Sequence, residues 1–130
     1  MTDAKSDYLE DALLNHVLRN TAYVSPITIY VALFTTLPSD DGTGGVEVSG
    51  GSYARQTVTF AAPSGGQVAN SGAVTFPVAT AGWGTVVGMG LYDAVTGGNL
   101  LYYGALATSK TVGSGDQIAF ASSALTVGET

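Results

Sequence analysis

Thr85-Val-Val-Gly-Met-Gly-Leu-Tyr-Asp-Ala-Val-Thr-Gly-Gly-Asn-Leu-Leu-Tyr-Tyr-Gly-Ala-Leu106 decides the fold. Two segments dense in β-branched, aromatic and aliphatic residues, Thr85 to Asp93 and Leu100 to Leu106, flank Asp93-Ala-Val-Thr-Gly-Gly-Asn99. Paired glycines between Asp and Asn supply the backbone conformations of a hairpin loop, so the two segments are expected to pair antiparallel. Gly88 and Gly90 sit inside the strand pattern without the helix that a dinucleotide-binding fingerprint requires. They are expected at bulges or points of close packing.

Working back toward the N-terminus, Ile27 to Thr36 is apolar on both faces and rich in β-branched and aromatic residues, the mark of a central, doubly covered strand. Pro38 to Gly51 has loop composition on either side of Val46-Glu-Val48. Ser52 to Ala61 alternates Arg55, Thr57 and Thr59 against Gln56, Val58 and Phe60, a half-buried strand with one polar face. Shorter strands follow at Val68 to Asn70 and Ala73 to Pro77, and after the hairpin at Ile118 to Ala121 and Leu125 to Val127. The fold class is mainly β: an antiparallel β-sandwich or jelly roll of seven to eight strands.

One N-terminal amphipathic α-helix precedes the strands. Asp7 and Glu10 have capping-box spacing, Leu9, Leu13 and Val17 form an apolar stripe widened by Leu14 and Leu18, and Asn20 is a suitable left-handed stop. So short a helix is marginal alone and must dock its leucine face on its own sandwich or on a neighbouring subunit. A single domain over residues 1–130 is expected, with residues 1–22 as arm and helix and residues 23–130 as the sandwich.

Composition narrows the function. Only 11% of residues are charged, and Gln56 through Tyr92 contains no Asp, Glu, Lys or Arg. Ordinary chains carry about 25% charged residues, and a surface this poor in charge suits a chain packed among copies of itself or larger partners. The net charge of −6 comes from ten acids against four cations, Lys5, Arg19, Arg55 and Lys110. Four cations are too few to neutralise a row of phosphates, so no nucleic-acid partner is expected. No apolar run reaches the roughly 20 residues of a membrane span, and residues 1–7 carry neither the basic nor the apolar region of a secretory signal, so synthesis in the cytoplasm is expected.

Candidate chemistry is sparse. Cysteine is absent and His16 is the only histidine, which leaves no His/Cys metal cluster and no plausible Ser-His-Asp triad. Asp40-Asp-Gly42 lacks the acid spacing of a calcium loop. Asp93, Asp116 and Glu47 could in principle form a hydrolytic carboxylate pair, but nothing local marks them as opposed. No enzyme activity, cofactor or metal is expected. The candidate contacts with neighbouring copies or a larger partner are Leu9, Leu13, Tyr53, Arg55, Trp83, Tyr102 and Tyr103. Of these, Arg55 beside Tyr53 should seek a carboxylate or an aromatic face, and Trp83 with the tyrosines offers an alternative stacking platform for a host-surface carbohydrate.

Leu14-Asn-His-Val-Leu-Arg-Asn-Thr-Ala-Tyr23, Val31-Ala-Leu-Phe-Thr-Thr36, Glu47-Val-Ser-Gly-Gly-Ser-Tyr-Ala-Arg-Gln56, Val74-Thr-Phe-Pro77, Gly82-Trp-Gly-Thr85, Gly90-Leu-Tyr-Asp93 and Gly97-Gly-Asn-Leu-Leu-Tyr-Tyr-Gly104 are spread along the chain. This set resembles a family of small tailed-bacteriophage structural proteins described as tail-fibre-like or head-decoration proteins. The resemblance implies a virion component with no catalytic residues. It further implies a capsid decoration (cement) protein that binds the major capsid protein on the head surface and self-associates as a homotrimer, with a tail-tip or fibre-associated sandwich as the alternative.

Overall fold

The computed structural model describes residues 2–129, which form ten strands and one helix. The core of the chain is the expected hairpin, β7 (Gly84–Tyr92) and β8 (Leu100–Val112), paired antiparallel with Leu91 opposite Tyr102 and Gly90 opposite Tyr103. Gly97 and Gly98 turn the loop at φ +61° and +74°, conformations that side chains disfavour. The Asp93 carboxylate closes it by accepting the Asn99 backbone N–H at 2.7 Å and its side-chain amide at 3.0 Å.

β2 (Ile29–Thr36) pairs with the other edge of β7, Leu33 opposite Met89. Val31 through Phe34 are all buried, so this strand is covered on both faces as its composition requires. It begins two residues later than expected, and Ile27 stands fully in solvent. The close approach expected of the strand glycines is met at Gly88: a Cβ there would lie 2.3 Å from Leu37 Cδ2 and 2.6 Å from the Gly104 carbonyl. The register slips between Val86 and Gly88, which makes this position a bulge as well.

Two strands arise where the sequence gives no strand signal. β1 (Thr2–Lys5) adds to the free edge of β8, and β3 (Val46–Glu47) forms inside the Pro38 to Gly51 loop by pairing with the C-terminal half of β2. β4 (Gln56–Val58) takes the N-terminal half of the same β2 edge. The main sheet therefore runs β1-β8-β7-β2, with β3 and β4 sharing the last edge.

The second layer consists of two antiparallel ribbons: β5 (Gln67–Ala69) with β10 (Thr126–Gly128), and β6 (Val74–Thr75) with β9 (Ala119–Phe120). Val31, Leu33, Val86, Met89 and Leu91 of the sheet pack against Val74, Phe76, Ile118, Leu125 and Val127 of this layer. The molecule is an antiparallel β-sandwich. Phe76 is fully buried at its centre, parallel to Tyr53 at 6.1 Å between ring centroids and edge-on to Trp83 and Phe120 at 6.5 Å each. Asn70, 1% exposed, ties the ribbons together. Its amide donates to the Gly72 and Ala121 carbonyls, and its side-chain oxygen accepts the Leu125 N–H at 2.9 Å.

The helix, α1 (Asp7–Leu18), follows β1 directly. Ser6, one residue before the expected cap Asp7, is the N-cap: its hydroxyl accepts the Leu9 N–H at 3.2 Å and donates to the Leu100 carbonyl. Serine wins because the cap is buried at 2% exposure, where a carboxylate would lose its hydration; Asp7 moves into the first turn, near the positive end of the helix dipole. The helix ends at Arg19 with Asn20 at φ +53°, the left-handed stop the sequence suggests. No helix among the described residues is long and apolar enough to cross a membrane.

Candidate functional site

The most developed polar cluster gathers around Arg55, whose guanidinium grips Glu47 with two hydrogen bonds, Nε to Oε2 and Nη2 to Oε1, each 2.9 Å. Nη1 donates to the carbonyls of Ala94 at 2.9 Å and Gly97 at 2.8 Å, both in the β7–β8 hairpin loop. The guanidinium carbon lies 3.8 Å above the centre of the Tyr92 ring, a cation–π distance. Glu47 Oε2 also accepts the Tyr53 hydroxyl at 2.6 Å, and the Tyr53 oxygen accepts the Leu33 N–H at 3.0 Å. One arginine thus joins the β3 loop, the β4 approach and the hairpin loop.

Burial by itself would raise the Glu47 carboxyl, but the hydrogen bonds from Arg55 and Tyr53 and the adjacent guanidinium charge outweigh it and hold the group below its ordinary value of 4.5. The Tyr53 hydroxyl is driven up, first by burial and then by its bond to the Glu47 carboxylate. Because the folded Glu47 value lies below the unfolded one, its contribution to stability is present above about pH 5 and is lost as pH falls through the folded value. Glu47→Gln is therefore expected to flatten the fall in urea midpoint between pH 6 and pH 3 relative to wild type; an unchanged slope would show that Glu47 does not carry this dependence.

The cluster corrects the placement of Arg55 on a polar strand face: the residue is 8% exposed, and it finds both its carboxylate and its aromatic partner within its own chain. Tyr53 is half-buried above Phe76. Trp83 is 5% exposed and donates its indole N–H to the Gly51 carbonyl at 3.0 Å, so it is an interior residue and no stacking platform can be built on it. Tyr102 and Tyr103 lie on opposite faces of β8. Tyr102 packs toward the core and donates to Glu129 at 2.7 Å, whereas Tyr103 donates to Asp40. Leu9 is buried against the sandwich, and Leu13 is half-buried. Of the seven candidates, the structure gathers Tyr53, Arg55 and Trp83 in one region and scatters the rest.

The three carboxylates considered for hydrolysis are likewise dispersed. Glu47 is held by Arg55, Asp93 closes the hairpin loop, and Asp116 accepts the Gly113 N–H at 2.8 Å. Among the described residues no group of three or more His, Cys, Asp or Glu side chains is placed to hold a metal. His16 is exposed, with Nδ1 accepting the Tyr23 N–H at 3.1 Å.

The structure splits the apolar stripe expected on α1, burying Leu9 and leaving Leu14, Val17 and Leu18 on the outward side. Leu14, Val17 and Leu18 are 56%, 71% and 73% exposed, and beyond the helix Val24 and Ile27 are 84% and 102% exposed. The first three stand at i, i+3 and i+4, so they form one stripe. The signal was in the sequence: five Leu and Val residues on a helix of twelve are more than a single docked face can use. A second apolar feature is an open groove of about 270 Å³ between the main sheet and the β5–β10 ribbon, lined by Ile29, Phe60, Val68, Leu91, Leu101 and Val127.

The polar cluster thus braces the sandwich's own loops while the helix presents bare aliphatic side chains, and comparison with known families places the chain. Residues 4–128 match the family described as podophage GP4 fiber I protein gp80. The chain belongs to this family of tailed-phage fibre-type structural proteins. Among curated proteins no relative matches the chain.

Proposed function

We propose that the protein is a non-enzymatic subunit of the virion that acts at the tail, as a component of a fibre or of its attachment, and is held there by contacts with copies of itself and with other virion proteins. The family match over residues 4–128 carries this reading, because the description of that family is of a fibre protein. The physical character of the chain supports it. The Arg55 cluster ties the β3 segment, the approach to β4 and the hairpin loop together, and the exposed aliphatic side chains of α1 offer area for assembly. The fibre reading displaces head decoration as the first choice, since that role rested on the wider resemblance alone.

Quantitative mass spectrometry of purified particles tests it. A few to some dozens of copies per virion, lost together with the fibres when the gene is deleted, is the expected result. Hundreds of copies on fibreless heads would assign the protein to capsid decoration instead, and its absence from purified particles would remove it from the virion altogether.

A further inference from the structure

β8 has a strand on each side over only part of its length. β1 covers its outer edge from Tyr102 to Ala105, and from Leu106 to Val112 no strand among the described residues pairs with that edge. The β7 ladder is interrupted along the same stretch: between the Val86–Lys110 and Gly88–Ala105 pairs, Leu106, Ala107, Thr108 and Ser109 stand against Val87 alone. Ala107 through Thr111 are exposed. β9, across from them, pairs only with β6. A groove of about 280 Å³ lies between β8 and β9, lined by Leu106, Ile118, Phe120 and Leu125 with the exposed Lys110 beside them.

We infer that this edge and groove receive an extended segment of a different virion protein, added as a strand to β8 in line with β1. N–H and C=O groups alternating along an unpaired strand are matched residue for residue by another extended backbone, which fixes the class of occupant. Leu106 to Val112 is long enough for a strand of the commonest length, about five or six residues. Alternate side chains of a strand point to one face, so an added strand can turn aliphatic groups into the groove against Leu106, Phe120 and Leu125. The chain itself shows that this edge takes a strand, because Thr2–Lys5 has no strand pattern of its own and becomes β1 by pairing there.

Charge selects the partner. Lys5 and Arg55 are ion-paired, whereas Lys110 has no ion pair among the described residues. An unanswered lysine on a sheet edge disfavours any strand that brings no opposite charge, so the incoming segment carries Asp or Glu near Lys110. A second copy of this chain has no such strand to offer. Residues 100–112 contain no acid, Glu47 of β3 is held by Arg55, and Asp3 lies in β1, which is already paired. This docking rests on the chain being a virion subunit and adds which surface is used and what it takes.

Hydrogen exchange of the full chain, alone and on purified particles, tests it. Backbone amides 106–109 are expected to exchange at least ~100-fold more slowly on the particle, as amides drawn into a sheet do. Lys110→Glu should lower the number of copies per particle by about 10-fold, because it sets like charges together at the contact. Ala107→Pro with Thr108→Pro, which removes two backbone N–H groups from the edge, should prevent incorporation. The isolated Lys110→Glu chain should keep the wild-type thermal midpoint, since that side chain is exposed and unpaired; if the prolines unfold the chain, this variant and the exchange comparison still decide. Amides 106–109 that exchange equally fast in both states, or a Lys110→Glu chain incorporated at the wild-type level, would overturn the docking and leave the virion assignment intact. Absence of the wild-type chain from purified particles would overturn both.

Discussion

Arg55→Ala is expected to lower stability by about 3 kcal/mol, near the lower end of the cost of breaking a buried ion pair. The low end applies because the Glu47 side chain retains 26% exposure while that of Arg55 retains 6%. Truncation strands the carboxylate of Glu47 beside Tyr53, frees the Ala94 and Gly97 carbonyls and uncovers the Tyr92 ring. For a chain of this size the thermal midpoint should fall by ~10 °C. Arg55→Lys should recover little of it, since one ammonium cannot reproduce a fork that serves a carboxylate and two carbonyls while stacking on a ring. A lysine variant as stable as wild type would mean that charge alone accounts for the cluster. Because the cluster pins the hairpin loop, amide exchange of residues 94–98 should quicken in Arg55→Ala more than exchange in β2.

Phe76→Ala is expected to cost about 4 kcal/mol, the range for removing a fully buried aromatic side chain. Its ring touches both layers through Tyr53, Trp83 and Phe120, so the cavity opens where the layers meet and cannot close by movement of one loop. The emission of Trp83, the one tryptophan, reports the change directly. It should shift to longer wavelength as water reaches the indole, and the urea midpoint should fall with little change in slope. Phe76→Leu should recover roughly half the loss, because most of the apolar volume returns while the edge-on ring contacts do not. A loss below about 1 kcal/mol for the alanine variant would place the core elsewhere.

Much of the sandwich was legible because its longest strands advertise themselves. β2 and β7 are dense in Val, Leu and aromatic residues, and the Gly97-Gly98 turn fixes how β7 meets β8. β1 was not legible: Thr-Asp-Ala-Lys has no alternation of its own and becomes a strand only because β8 offers a free edge. β3 escaped for the same reason inside a glycine-rich loop, where pairing with β2 and not local propensity makes the strand. The helix was visible, but its capping residue shifted by one because burial favours the hydroxyl of Ser6 over a carboxylate.

The Arg55 cluster was half legible. A lone arginine beside tyrosine in a charge-poor stretch announces that it needs a partner, and Glu47 is eight residues away in the chain. That the partner lies in the same chain depends on β3 and β4 both pairing with β2, a tertiary fact that no local pattern encodes. Trp83 misled for a related reason. Between two glycines it resembles an exposed loop aromatic, yet the Gly51 carbonyl receives its N–H and the indole folds inward. On α1 the stripe of Leu9, Leu13 and Val17 suggests a docked face, whereas the sheet accepts Leu9 fully and Leu13 in part. The aliphatic remainder is what an assembly would cover.

Cryo-electron microscopy of intact particles tests that conclusion most directly, because it shows both where the sandwich sits and what lies on its helix. The account predicts density for this fold within the tail fibre or its attachment, with Leu14, Val17 and Leu18 enclosed by protein. Particles in which the fold is present but this helix face stands bare to solvent on every copy would contradict it.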